Sequence, residues 1–301
     1  MPEPQPHTLT FVAPAGEKAV YRKALLMLGR VALARKLPPP RVLAGWIAAE
    51  WDYPARDAEL AEEAAHAVGD LPVDWALLPS AGRRKSVLIA DMDSTIITVE
   101  CLDELADYAG LKEEIAAITE RAMRGELAFE PALRARVARL KGLKLEMLQR
   151  CYGERVRLSP GAQTLVRTMA AHGAQTALVS GGFTFFTERV AAAAGFAAHR
   201  ANVLLDDGAA LTGAVAEPIL GREAKLQALH ETSASAGVAP EAALAIGDGA
   251  NDLAMLHAAG LGIAYRAKPI VAAEADARIA HTTLETALYF QGYAQREFAA
   301  V

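Results

Sequence analysis

The chain has only two cysteines, Cys101 and Cys151, among its 301 residues. Two thiols cannot build a disulfide framework, and these form no metal-type pair, so a reducing, intracellular setting is the expectation. No apolar run approaches the ~20 residues that a membrane span needs. The first residues, Met1 to Gln5, lead into no signal-type apolar core. A cytoplasmic protein with no membrane partner is expected. A basic surface is missing as well: the net charge is −5, which argues against a nucleic-acid partner. The run Arg83-Arg84-Lys85 is too short to change that and reads as a solvated linker. The seven histidines are scattered without ligand spacing. Aromatic residues are scarce at 6%, whereas hydrophobic residues reach 52%, largely Ala, Leu and Val. That mix suits Ala-rich helices packed on a sheet.

The patterning divides the chain into three zones. Residues 1–82 alternate short strand-like and helical pieces: strands at 8–12 and 73–78, helices at 19–33 and 57–68, the second with Asp57 as a cap. This order suits a small α+β module of ferredoxin-like type. From residue 86 the sequence shows apolar runs that end in polar residues, at 86–90, 175–180, 242–247 and 260–264, with helical segments between. Such runs suit strands buried on both faces, and their alternation with helices predicts a doubly wound parallel sheet. Residues 99–155 break the alternation with four helical patterns, an insertion expected to cap the crevice at the strand ends. The domains expected are therefore 1–82, a core of 83–98 with 156–301, and a cap of 99–155.

Ligands of such sheets bind beyond the carboxyl ends of the strands, so the polar residues ending the runs should converge: Asp91, Asp93, Ser180 and Asp248. Two carboxylates at Asp91 and Asp93 repel unless a cation or proton lies between them, and an oxygen-rich site with few protein ligands suits Mg²⁺ shared with a phosphate. Alone, Asp91-Met-Asp-Ser-Thr95 also suits, less well, a turn with two capping aspartates. Gly247-Asp248-Gly-Ala-Asn251-Asp252 likewise suits a glycine-rich helix start, and Ser180-Gly181-Gly182 either a plain turn or a phosphate cradle. Lys225 alone reads as a helix-surface lysine.

In this order the four signals resemble the haloacid dehalogenase-like phosphatases over about residues 86 to 290. The segment Asp91 to Glu100, with Met123 to Phe129 and Leu133 to Val137, resembles the phosphoserine phosphatase family within them. The resemblance implies Asp91 as nucleophile and Asp93 as acid–base. It implies Mg²⁺ held by Asp91, the Asp93 carbonyl and Asp248, with Asp252 supporting the metal shell. It implies Ser180, Gly181 and Lys225 on the phosphoryl group, Asn251 on substrate or phosphate, and Phe129 packed over the substrate. Glu100 would bind the ammonium of O-phosphoserine and Arg136 its carboxylate, in keeping with bidentate carboxylate recognition by arginine. Without the resemblance, Glu100 reads as a helix start and Arg136 as part of a solvated basic face with Arg134 and Arg139. Other phosphorylated metabolites, and transfer to an alcohol, remain alternatives for the same chemistry. The N-terminal zone resembles a degenerate ACT-like domain by its place in the chain, which implies amino-acid sensing or a homodimer contact.

Overall fold

The computed structural model describes residues 5–55, 58–123, 126–221 and 223–301. The helix cap expected at Asp57 lies outside them. The N-terminal zone runs β1 (His7–Val12), α1 (Lys18–Ala34), β2 (Arg41–Ala44), β3 (Ala48–Tyr53), α2 (Ala58–Val68) and β4 (Asp74–Pro79). Its sheet is antiparallel, in the order β2-β3-β1-β4. All six residues of β1 are buried because both faces of the sheet are covered. Leu9 and Phe11 join Tyr21, Leu28 and Leu60 of the two helices in one apolar cluster. Val12, Ala48, Ala76 and Leu78 join the large cluster of the remaining chain.

The junction is polar at its rim. Asp74 accepts backbone N–H bonds from Ala280 (2.8 Å) and Thr282 (2.9 Å). Arg83 donates to Glu50 Oε2 (2.8 Å), Thr10 Oγ1 (3.2 Å) and the Phe290 carbonyl (3.2 Å). Arg83 is thus a largely enclosed tie between two layers, which corrects the solvated-linker reading at that residue, while Arg84 stays exposed. Each Arg83 partner is remote in the chain, so the run's composition carried no sign of it.

The rest of the chain runs β5 (Val87–Ala90), α3 (Cys101–Tyr108), α4 (Lys112–Met123), α5 (Phe129–Arg139), α6 (Leu145–Arg155), α7 (Ala162–Ala171), β6 (Gln175–Phe183), α8 (Thr184–Ala194), β7 (Ala198–Asn202), β8 (Leu204–Asp206), β9 (Leu211–Val215), α9 (Glu223–Ser235), β10 (Ala243–Gly247), α10 (Leu253–Ala258), β11 (Leu261–Tyr265), α11 (Pro269–Glu274), β12 (Ala277–Ile279) and α12 (Thr286–Phe290). Six strands form a parallel sheet in the order β12-β11-β10-β5-β6-β7. Alternate residues of a strand face opposite sides, and the core divides accordingly. Leu88 and Ala90 pack with α7, α8 and α12 on one face, while Val87 and Ile89 pack with α9, α10 and α11 on the other. That two-sided burial is why these strands read as unbroken apolar runs.

The helices α3 to α6 leave and re-enter the sheet side by side, through an Ile97↔Leu158 bridge and a Thr98 N–H bond to Arg157 O (3.1 Å). A hairpin absent from the sequence reading, β8–β9, meets the α5–α6 turn through Gly142 N–H to Leu211 O (2.8 Å) and Leu211 N–H to Leu143 O (2.9 Å). Among the described residues no helix is long and apolar enough to cross a membrane.

Candidate active site

Strands β5, β6 and β10 are neighbours in register, so the residues at their carboxyl ends meet. Asp91 follows β5 and is buried. The Met92 N–H donates to its Oδ1 (2.8 Å), and Lys225 Nζ lies 2.7 Å from its Oδ2. Lys225, from the first turn of α9, is itself buried and also reaches Asp252 Oδ1 at 2.6 Å. It is therefore no surface lysine. Asp252 in turn accepts the N–H groups of Asp248 (3.2 Å) and Gly249 (3.0 Å). A Cβ on Gly247 would lie 2.4 Å from Asp252 Cγ, so only glycine lets this carboxylate fold back under the strand end.

Burial raises the Asp91 carboxyl well above the usual range; Lys225 opposes the rise and Asp252 adds to it. For Lys225, burial disfavours the ammonium, but the two carboxylates outweigh it and hold its pKa above the ordinary value.

The turn after β5 directs Asp93 toward β6. Its Oδ1 accepts the Cys101 N–H at the start of α3 (2.8 Å), and its Oδ2 accepts the Ser180 hydroxyl (3.1 Å). Ser180 Oγ in turn accepts the Gly182 N–H at 2.8 Å. Burial, then the charge of Glu100, pushes Asp93 up to about 6 against these hydrogen bonds. Asp248 accepts the Thr95 hydroxyl (2.9 Å), and burial likewise lifts it to about 6 despite that bond.

Carboxylate oxygens of Asp91, Asp248 and Asp252 lie within 4.8 Å of one another. Asp252 is committed to Lys225 and two N–H groups, which leaves Asp91 and Asp248 with the freer oxygens. An all-oxygen, anionic donor set of this kind fits a hard divalent cation.

The helical insertion brings further groups to the same crevice. Glu100, at the start of α3, accepts the Ser94 hydroxyl at 2.6 Å. Ser94 has φ 54, a left-handed conformation uncommon outside glycine, which turns its side chain toward Glu100. The Glu100 charge raises Asp93 and Asp248 and favours the charged form of Arg136. Arg136 is half-buried and donates through Nε to Ala132 O (3.3 Å). Burial lowers its pKa, while Asp103 and then Glu100 raise it. Among these arginines it is Arg134 that points outward, to Glu217 at 2.7 Å.

Phe129 reaches over the β6 turn, its Cζ 3.3 Å from where a Cβ on Gly181 would stand. It lines a cleft of about 720 Å³ with Asn251, Gly221 and Glu223. Asp91, Lys225, Asp248 and Asp252 thus meet at the strand ends, Asp93 meets Ser180 beside them, and Phe129 and Asn251 line a neighbouring cleft. Cys101 contributes its N–H; its thiol, pushed up by burial and by Asp93, is an inert neighbour. Thr95, Ser94 and Asp103 were not anticipated. The first two belong to the Asp91 motif, and Asp103 gave no signal.

The chain belongs to the haloacid dehalogenase-like hydrolase family, whose model matches residues 88–257. More particularly, its relatives include phosphoserine phosphatases. That of Streptomyces coelicolor is 39% identical over 296 residues, covering 98% of this chain and 70% of its own. That of a Polaromonas species is 48% identical over 190 residues, 62% of this chain and 80% of its own. Among solved structures, an unliganded probable phosphoserine phosphatase from Vibrio cholerae superposes with a TM-score of 0.78 at 31% identity, covering 97% of this chain and 88% of that one. A family hydrolase from Salmonella enterica serovar Typhi superposes with a TM-score of 0.82 at 29% identity, covering 96% of this chain and 98% of that one.

Proposed function

We propose that this chain hydrolyses O-phosphoserine to serine and phosphate through an aspartyl-phosphate on Asp91, the last step of serine biosynthesis. What supports the substrate is the pairing in the insertion of one anion, Glu100, next to the Cys101 N–H that binds Asp93, with one half-buried cation, Arg136, whose charge Glu100 favours. A free amino acid offers one ammonium and one carboxylate to such a pair.

In this reading an Asp91 oxygen attacks phosphorus in line while the bond from phosphorus to the serine oxygen breaks. Asp93, with a pKa of about 6, carries a proton in an accessible fraction near neutrality and delivers it to that oxygen. It then takes a proton from the water that hydrolyses the acyl phosphate. Ser180 Oγ–H, Gly181 N–H and Lys225 Nζ bind the phosphoryl oxygens and stabilise the charge that develops. Lys225 already lies 2.7 Å from Asp91, within reach of a group attached there. Mg²⁺ held by Asp91, the Asp93 carbonyl and Asp248, with Asp252 behind them, would lower the repulsion between phosphate and nucleophile. Phe129 covers the substrate, and Asn251 contacts it from the mouth.

Residues 99–155 act as the cap, 83–98 with 156–301 as the catalytic core, and 1–82 as a ferredoxin-like, degenerate ACT-type domain. A homodimer, if formed through that domain, has β2 as its sheet's outer strand to pair with. The two buried free thiols suit the reducing cytoplasm, which we take as its setting. The test is kinetic. Arg136→Ala should lower kcat/KM for phosphoserine on the order of 10-fold or more, the worth of a charge-assisted bond, and spare an aryl phosphate. Asp91→Asn should abolish both. Equal losses of Arg136→Ala on the two substrates would sink the substrate assignment and leave the nucleophile standing.

A further inference from the structure

A second cavity, of about 680 Å³, is lined by none of the residues assigned above. It lies where β11 and β12 end beside α11. Arg278 is the register partner of Ala264, and its exposure between buried Ala277 and Ile279 places it on the α11 side of the edge strand. Arg266 follows β11 directly, and its N–H donates to Ile279 O at 2.8 Å; both arginines line the cavity. Pro269, Ala272 and Ala273 form the opposite wall and are too small to fill the space.

Three features of this pair call for explanation. Arg266 has φ 45, a conformation that costs free energy at any residue bearing a Cβ. Arg266 stacks over the Tyr265 ring at 5.5 Å, yet among the described residues neither guanidinium makes a hydrogen bond or ion pair with a carboxylate. The acids nearest in the chain are engaged elsewhere: Glu274 faces His257 at 3.2 Å, and Asp276 accepts the Gly262 N–H at 2.8 Å. Two like charges without a carboxylate partner thus line one open volume, in a chain whose net charge is −5.

We propose that this cavity is a binding site for a small oxyanion-bearing metabolite, distinct from the reacting phosphate. The guanidinium fork reads phosphate and carboxylate oxygens in pairs, and the alanine wall leaves room for the remainder of such a molecule.

The probe is inorganic phosphate, titrated calorimetrically into the Mg²⁺-loaded full chain at constant ionic strength, with succinate as a second arm. Wild type should show two phosphate components. Arg278→Gln and Arg266→Gly should each weaken one of them roughly 10-fold or more, the worth of a charged hydrogen bond, and keep the other together with kcat. Arg266→Gly also relieves the left-handed φ, so its Tm should equal or exceed that of wild type, and a lost component cannot be blamed on misfolding. A component seen with phosphate alone identifies phosphate esters; one seen with succinate too extends the class to carboxylates, and either supports the site. A single component in wild type, or isotherms unchanged in both variants, overturns it.

Discussion

Lys225→Met isolates the electrostatic centre of the site. The substitution keeps an unbranched chain of similar length but removes the ammonium that sits 2.7 Å from Asp91 and 2.6 Å from Asp252. Both carboxylates stay buried, with no cation between them. Breaking a buried pair this way typically costs about 3–5 kcal/mol, because the residual charge is stranded. For a chain of this size that is a fall in Tm of about 6–20 °C. The pH dependence supplies the sharper check. Burial already raises Asp91 above the unfolded carboxylate value, and Lys225 is what restrains it. Without Lys225 the folded form holds its proton to still higher pH, so the folded state binds more protons than the unfolded one, and acidification stabilises it. The deficit against wild type should therefore be largest near neutral pH and shrink as pH falls toward the unfolded carboxylate value. Adding Asp252→Asn, which removes one of the stranded charges, should recover part of the loss. Thermal unfolding followed by circular dichroism without metal, at about pH 7.5 and about pH 5.5, measures all three effects. A deficit below about 1 kcal/mol, or one independent of pH, would refute the reasoning.

The remaining expectations use the same logic at other sites. Asp93 and Asp248 stand at about 6 in the folded chain against a usual carboxylate value of 3.8, so the metal-free protein gains stability as pH falls through about 6. The Mg²⁺-induced rise in Tm should accordingly be large near neutrality and fade below about pH 6; a constant rise across that range would contradict it. Ser94→Ala removes the hydroxyl 2.6 Å from Glu100 and should raise KM for phosphoserine about 3- to 10-fold, an ordinary hydrogen bond's worth since it acts only by positioning Glu100, with little change for an aryl phosphate. Arg83→Met removes one of two arginines that pair with buried Glu50, Arg41 keeping the other carboxylate oxygen, and should cost about 1.5–3 kcal/mol in denaturant unfolding. Because the sheet shares its apolar cluster with α12, a single transition is expected, and an early, separate unfolding of residues 5–79 would count against that shared core.

The parts of the fold legible in the sequence were those in which burial on both faces left an unbroken apolar run. Val87–Ala90 and Ala243–Gly247 announced themselves in this way, and the polar residue after each run marked the site. Strands β2 and β3 did not: one is short with two exposed residues, and the other carries Glu50, a buried charge held by Arg41 across the strand pair and by Thr10 and Arg83 farther along the chain. The carboxylates of the site could be found as residue types. Their hydrogen-bond donors could not, because the N–H groups of Cys101, Met92, Asp248 and Gly249 belong to the backbone and leave no mark on composition. Arg136 shows the same limit. Its helix carries Arg134 and Arg139 as well, and only the packing of α5 separates the half-buried arginine from the two that face solvent.

The N-terminal sheet bears on what its module can do. One face is sealed by α1 and α2, the other by a cluster that includes Leu284, Tyr289 and Phe290. Asp74 and Arg83 tie the rim of that second face to the backbone near β12 and α12. Neither face is open to a ligand, so sensing through the sheet would first require undocking it, with exposure of these large apolar side chains. Burying a side chain of that size contributes about 1.5–3 kcal/mol, and several would be uncovered together. A metabolite that binds weakly could not offset that cost, whereas a contact on the outer strand β2, or on the exposed side of α1 where Leu26 and Leu33 lie, leaves the docking untouched. The module thus packs on the β12 end of the parallel sheet, and on the proposed reading a partner would meet it from outside.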